Sequence, residues 1–344
     1  MATWVISKAL SCKRRCVALT WHYRRMWNIS GPNPKKMDFA MKYPLVTRLA
    51  PFPIWLLGLV IAFQSVKVTV LDDALGQDAH AYWLAAQSEL VYDRAPGQKD
   101  AYLYSPVFLA VIRPLGMLSW PLFLAVWICL EAAVLFWLVK PLPIKWSVPV
   151  FLLCMPELLI GNIYVLLAGA AVVGMQKPAA WSFPVLTKVT AGIGLLWFAV
   201  RGDWRRLLHG VGVLALIVIV SYALDPTQWH AWLRFLFDHT DGTPDSRTSF
   251  LLRCLLAVLL VVIGARKQWP WLVAPAMVLA SPVLVGLLPL TMLAAIPRLT
   301  RLAGQDIDLA CSPLPEEAKN SEARIGLLHG RSGPGPWPAT RERL

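Results

Sequence analysis

The sequence predicts an all-α, polytopic bundle of membrane-spanning helices, about ten spans in all. Hydrophobic residues make up 57% of the 344 positions, with 17 Trp, and the mean hydropathy is +0.55. Apolar runs recur from about Phe52 to Pro297, far more apolar surface than a soluble core of this length needs. Lys and Arg give a net charge of +13 but gather at the two ends and in short loops, with no interleaved aromatic stripe on a polar face. That is positive-inside bias and not a nucleic-acid footprint, so the expected partner is membrane lipid and no nucleic acid. Multi-pass insertion in the plasma membrane is the expected location.

Residues 1–50 form a basic leader that includes Lys13, Arg14, Arg15, Arg24, Arg25, Lys35 and Lys36. It has no apolar stretch before a small-residue cleavage site and does not read as a cleaved signal peptide. Met37 and Met41 stand just before the first span, so the leader is expected to be dispensable, an upstream start. Phe52 to Leu71 supplies the roughly 20 apolar residues a bilayer requires. Ten basic residues precede it, which sets its first end on the cytoplasmic side.

The loop from Asp72 to Leu103 carries Asp72, Asp73, Asp78, Glu89, Asp93 and Asp100 against only Arg94 and Lys99, the balance of an external loop. Within it, Asp78 to Leu90 alternates apolar and polar residues as an interfacial helix does. Further spans are expected at Tyr104 to Leu118, Trp120 to Val139, Trp146 to Ile160, Ile163 to Met175, Ala179 to Val200, Leu207 to Leu224 and Phe250 to Ala265. Two apolar halves, Pro270 to Ala280 and Val283 to Ile296, flank a break at Ser281 and Pro282. Several are short for a bilayer and need neighbours or a re-entrant path.

This count puts Arg201, Arg205, Arg206, Arg266, Lys267, Arg298 and Arg301 inside. It turns Lys140 to Lys145, Gln176 to Pro178 and Asp225 to Ser249 outward, and leaves Gly161-Asn162 on the cytoplasmic side. The membrane domain is therefore 51–297, and 298–344 reads as a polar, Pro/Gly-rich cytoplasmic tail without fixed structure.

The six Cys are scattered, and Cys12 and Cys16 lack partner ligands at metal spacing, so neither a disulfide framework nor a metal site follows. No cofactor is expected. The chain has no GxxxxGK[ST] loop and no dinucleotide fingerprint, which argues against an ATP-driven pump.

The informative polar residues lie in the first loop. Asp78 and Tyr82 are four apart and share a helix face. The order of that Asp and Tyr, a Tyr-x-Pro at Tyr104, Gly161-Asn162, a mid-span Lys188 followed by Arg201-Gly202-Asp203-Trp204-Arg205-Arg206, and Ser281-Pro282 near the end resembles glycosyltransferase family 87. Those are GT-C enzymes similar to polyprenyl-phosphate-mannose-dependent α-mannosyltransferases. The resemblance implies transfer of a hexose, mannose above all, from a lipid-linked polyprenyl monophosphate donor to the hydroxyl of a glycolipid or glycan acceptor outside the membrane. It also implies Asp78 as general base, because an alkyl hydroxyl attacks well only as its proton is accepted.

The plainer reading of Asp78 is a solvated carboxylate or helix cap, as for Asp72, Asp73, Asp93 and Asp100. The leaving lipid phosphate calls for a cation near the outer leaflet, and Arg253, after Ser246-Arg247-Thr248-Ser249, matches the family's polar segment followed by Arg. Its alternative is an Arg that snorkels to the interface. Lys188 needs a cavity or a carboxylate, with Glu131 and Glu157 as the available acids. Arg113 falls under the same choice. Tyr82, Tyr104, His80 and His230, with Tyr92, are candidates for sugar contact or interfacial anchors. A transporter or flippase of a lipid-linked or small polar solute is the competing class, and it should show repeat symmetry.

Overall fold

The computed structural model describes residues 51–239, 244–282 and 286–302, all within one compact unit. The leader and most of the tail lie outside the described residues. Among the described residues every regular element is helical. Four helices are long and apolar enough to cross a membrane: Phe52–Leu71, Trp120–Val139, Trp204–Leu224, and Thr248–Lys267 within a longer helix.

Helix α1 (Phe52–Leu71) ends at Asp72 and Asp73, and α2 (Gln77–Gln87) folds back over that end of the bundle. One face of the amphipathic-looking α2 packs against the bundle, burying Ala79, Ala81, Tyr82 and Ala85. Expected as a span, Tyr104 to Leu118 contains only α3 (Pro106–Ile112) and a short 3-10 turn, Leu115–Met117. Seven residues extend about 10 Å, a third of a bilayer core. The chain stays at the same end, because Trp83 donates to Leu118 O at 2.9 Å and His80 packs edge-on against Trp120, the first residue of α4 (Trp120–Val139), at 4.8 Å.

Helix α4 then runs to the opposite end. There α5 (Ile144–Leu153) begins beside the start of α1, with Trp55 Nε1 donating to Lys145 O at 3.0 Å. A break at Cys154 and Pro156 leads into α6 (Met155–Ile160). The return pass ends where Gly76 N donates to Leu159 O at 2.7 Å. Helix α7 (Tyr164–Gln176) leaves from this point.

The stretch Ala179 to Val200 is not one span. It is built from a 3-10 turn (Pro178–Trp181), α8 (Ser182–Thr187), a second 3-10 turn (Val189–Gly194) and α9 (Leu195–Val200). The extended Lys188 stands at the tip of this hairpin. Pro178 and Pro184 remove backbone donors, which favours such breaks. A second hairpin has α13 (Val273–Ala280) after a 3-10 turn at Pro270–Leu272 and a 3-10 segment at Leu288–Ala295, with Ser281 at the end of its first limb. Between the hairpins lie α10 (Trp204–Leu224), the amphipathic α11 (Pro226–Asp238) and α12 (Pro244–Lys267). Asp203 caps α10 and Asp225 caps α11, each accepting from the backbone N–H three residues on, as N-cap residues do. Helix α11 lies on the α2 end: Gln228 Nε2 donates to Glu89 O at 3.3 Å and Trp232 Nε1 to Leu103 O at 3.4 Å.

Two corrections to the expected sidedness follow. Lys140 and Lys145 belong to the basic end, where Arg298 Nε reaches Trp137 O at 2.7 Å and Arg301 Nη2 reaches Pro141 O at 2.8 Å. Lys177 goes with them, since Pro178 O lies against Gly210 near the start of α10. Gly161 and Asn162, expected on the cytoplasmic side, instead adjoin α2. The cause is common to both: α3 does not cross, and the 178–200 stretch doubles back, so parity slips by one after α3 and is restored at Arg201.

Candidate functional site

Gly76 and Gly161 place the first-loop carboxylate. Both have left-handed backbones, at φ 69° and 73°, a region that favours glycine. A Cβ at Gly76 would stand 2.5 Å from Leu124, and one at Gly161 would stand 2.7 Å from the Ala79 Cβ. The first turn of α2 can therefore sit directly on the α6–α7 corner. Trp127 Nε1 closes that corner by donating to Gly161 O at 2.9 Å.

Asp78 lies in that first turn, partly buried, and its side chain does not cap the helix. One carboxylate oxygen accepts a hydrogen bond from Asn162 Nδ2. Asn162 Oδ1 in turn accepts from Ile163 N at 2.7 Å and from Lys188 Nζ at 3.5 Å. The Lys188 ammonium rests over the Tyr164 ring, 3.4 Å from its centre, and stands 5.9 Å from that of Tyr104, within the reach of a cation–π contact. Tyr164 Oη and Ser281 Oγ are 3.1 Å apart. Arg253 Nη1 donates to Ser281 O at 2.8 Å, and Nη2 to Pro282 O at 3.4 Å.

Asp78, Asn162, Lys188, Tyr164, Ser281 and Arg253 thus form one connected set, drawn from α2, α7 and its lead-in, both hairpin tips and α12. Burial holds the Asp78 carboxyl above its usual range, while the Lys188 charge and the Asn162 hydrogen bond pull it back down. A carboxylate shielded from water yet facing a cation is a stronger proton acceptor than a solvated one without losing its ionised form.

The other candidate residues have different work. Tyr82 and Tyr104 bond each other through their hydroxyls at 3.1 Å and are 1% and 8% exposed. Burial pushes both phenols far above the usual range, so they remain neutral donors in an aromatic layer with Phe108. His80 is held at 2.7 Å by Asp100, which also takes Arg94 at 3.3 Å. Asp100, expected to be solvated, is thus the tie of the first loop. His230 lies on α11, 3.2 Å from Tyr222 Oη. Arg253 bonds the second hairpin's tip and does not float at the interface.

Of the two settings open to Lys188, a cavity or a carboxylate, the structure gives no direct ion pair, since among the described residues no carboxylate lies within ion-pair distance, but Glu157 and Asp78 are both near enough to act on its charge. Glu157 Oε1 accepts from Tyr164 N at 2.5 Å, and among the described residues neither oxygen of the buried Glu131 has a hydrogen-bond partner. Asn162 and Ser281 carried a sequence signal only as family motifs. Tyr164 carried none, because a tyrosine opening an apolar run reads as an interfacial anchor.

Fold and site together define a membrane-embedded helical protein in which the Asp78 carboxylate, the buried Glu157 and the cations Lys188 and Arg253 are linked at the acidic end of the bundle. Residues 102–312 match glycosyltransferase family 87, and the chain belongs to that family, one of membrane glycosyltransferases. The matched segment holds Asn162, Lys188, Arg253 and Ser281, and Asp78 precedes it. No curated protein and no solved structure matches the chain.

Proposed function

We propose that the protein transfers a hexose, mannose above all, from a polyprenyl monophosphate carrier to an acceptor hydroxyl at the outer face of the plasma membrane, as GT-C enzymes do. The observation that carries this reading is the continuous contact set from Asp78 through Asn162, Lys188, Tyr164 and Ser281 to Arg253. Asp78 takes the acceptor proton while the acceptor oxygen bonds to the anomeric carbon. The bond from that carbon to the phosphate oxygen breaks, and the lipid phosphate leaves with the electron pair. Lys188 and Arg253 then offset the charge that develops on the phosphate. Asn162 orients both partners, its amide group turned to Asp78 and its carbonyl to Lys188. A single displacement of this kind inverts the anomeric centre.

In this reading the chain crosses the membrane ten times with both ends cytoplasmic, each hairpin counting as two crossings and α3 as none. The basic end, with Arg201, Arg205, Arg206, Arg266 and Lys267, is cytoplasmic. Non-helical backbone at the hairpin tips is tolerated because protein surrounds it.

The test is transfer of radiolabelled mannose from polyprenyl-phosphate mannose to extractable glycolipid by the reconstituted full chain. Asp78→Asn should lower transfer by about 100-fold or more, while Asp72→Asn and Asp73→Asn, both at exposed positions, keep near-parental activity. Equal transfer by Asp78→Asn and the parent would remove the base. A parent that transfers no sugar but moves solute across vesicles would establish the transporter reading instead.

A further inference from the structure

Glu157 is fully buried and has no role in the proposed transfer step, yet it touches both supports of Lys188. Its backbone carbonyl closes the α6–α7 corner by accepting from Gly161 N at 2.9 Å and from Asn162 N at 3.3 Å. Its side-chain Oε1 accepts from Tyr164 N at 2.5 Å at the start of α7, where the helix dipole favours negative charge. Asn162 and Tyr164 are the two residues on which the Lys188 ammonium rests. A shielded ammonium keeps its charge only near an opposite one. Asp78 supplies that charge for only part of the cycle, because it becomes neutral as it takes the acceptor proton.

We propose that Glu157 is a positioning residue: it is the standing counter-charge that keeps Lys188 ionised, and its hydrogen bonds set the two groups on which Lys188 leans. The proposal rests on the reading of Lys188 as a phosphate-binding cation. Glu157 and Asp78 both act on the Lys188 charge, and the phenols of Tyr104 and Tyr164 also face it. Arg253, on α12, is turned to Ser281 and Pro282. Glu157 is faced in addition by Glu131 on α4 and by Cys154. Two buried carboxyls in reach of each other do not both ionise. Among the described residues only Glu157 of these two accepts a hydrogen bond, so the charge belongs to Glu157 and not to Glu131.

The probe is acetic anhydride, which acylates only the neutral amine. It is applied in trace amount across pH to the full chain in phospholipid vesicles, with acetylation of Lys188 read by mass spectrometry and Lys140, at the opposite end of the bundle, as internal standard. Removing a negative charge beside an ammonium makes its proton easier to lose. In Glu157→Gln the midpoint of Lys188 labelling should therefore fall by about 1 pH unit or more, and the alkaline limb of kcat/KM for transfer should move the same way. Gln keeps the size and an acceptor for Tyr164 N, so Tm should match the parent's, whereas Glu157→Leu removes the acceptor as well and should lower it. Glu131→Gln should leave the Lys188 midpoint where it is, and Asp78→Asn should lower it by less than Glu157→Gln. An unmoved midpoint in Glu157→Gln, an equal fall in Glu131→Gln, or a larger fall in Asp78→Asn would overturn the proposal. The labelling does not depend on transfer, which separates the two readings. A lowered midpoint in a chain whose parent transfers no sugar would leave Glu157 as the partner of Lys188 and sink the transferase reading. An unmoved midpoint with Asp78-dependent transfer intact would do the reverse.

Discussion

Two of the long helices, α1 and α10, differ from the shorter inner segments in what they bury. Helix α1 buries only Gly58 and α10 only Gly210, so their apolar side chains face outward, as a wall against lipid does. Helix α7, with thirteen residues, buries nine of them, and the two hairpins bring Lys188 and Ser281 to its first turn. The wall is made of what hydropathy measures. The site is made where hydropathy is interrupted, because only a break lets an apolar chain turn a polar tip inward among protein groups.

After Asp78 itself, the largest effect should come from the hairpin cation. Lys188→Met should lower kcat/KM by about 30–100-fold, checked in the same transfer assay. The variant should also change the pH profile. In the proposed mechanism the base is the ionised carboxylate, so activity should rise with pH through the Asp78 carboxyl value, which burial already holds above the usual range. Removing the Lys188 charge takes away the largest influence that lowers it, so the acid limb of kcat/KM should move to higher pH. An unmoved limb would separate Lys188 from Asp78.

Gly161→Ala should act on stability first. A left-handed backbone and a contact of 2.7 Å with Ala79 should cost about 1–3 kcal/mol, read as a lower Tm in detergent together with weaker transfer. Tyr164→Phe removes one hydroxyl from the link to Ser281. At about 1 kcal/mol for a hydrogen bond, transfer should fall roughly fivefold with little change in folding. Val66→Ala on α1, 46% exposed, should stay within about 0.5 kcal/mol of the parent and transfer normally. A wall residue that mattered as much as Tyr164 would erase the distinction between wall and site.

Much of the wall was legible in the sequence. Phe52 to Leu71 and Trp120 to Val139 coincide with observed helices, and the spans expected at Leu207 to Leu224 and Phe250 to Ala265 fall inside two others, because 20 apolar residues specify their own length. Lys188 was legible as a charge within an apolar run, and Asp78 and Arg253 only through the family resemblance. The hairpin at 178–200 was not, since its limbs are each as apolar as a half-span and Pro178, Pro184 and Lys188 read as interruptions of one pass. Tyr104 to Leu118 failed in the opposite direction: its apolar residues cover the aromatic layer around Tyr82 and Phe108 instead of lipid. Together these misplaced Asn162, whose position depends on the path taken by every segment before it.

The central claim is that the α6–α7 corner lies against the first-loop carboxylate, at the end of the bundle opposite Lys140. A direct test replaces the six native cysteines with alanine, pairs Asp78→Cys with Asn162→Cys, and applies a short bis-thiol-reactive reagent in native membranes. The account predicts efficient intramolecular cross-linking for that pair and none when Asp78→Cys is combined with Lys140→Cys. Cross-linking of Asp78→Cys to Lys140→Cys, with Asn162→Cys left unreacted, would contradict it.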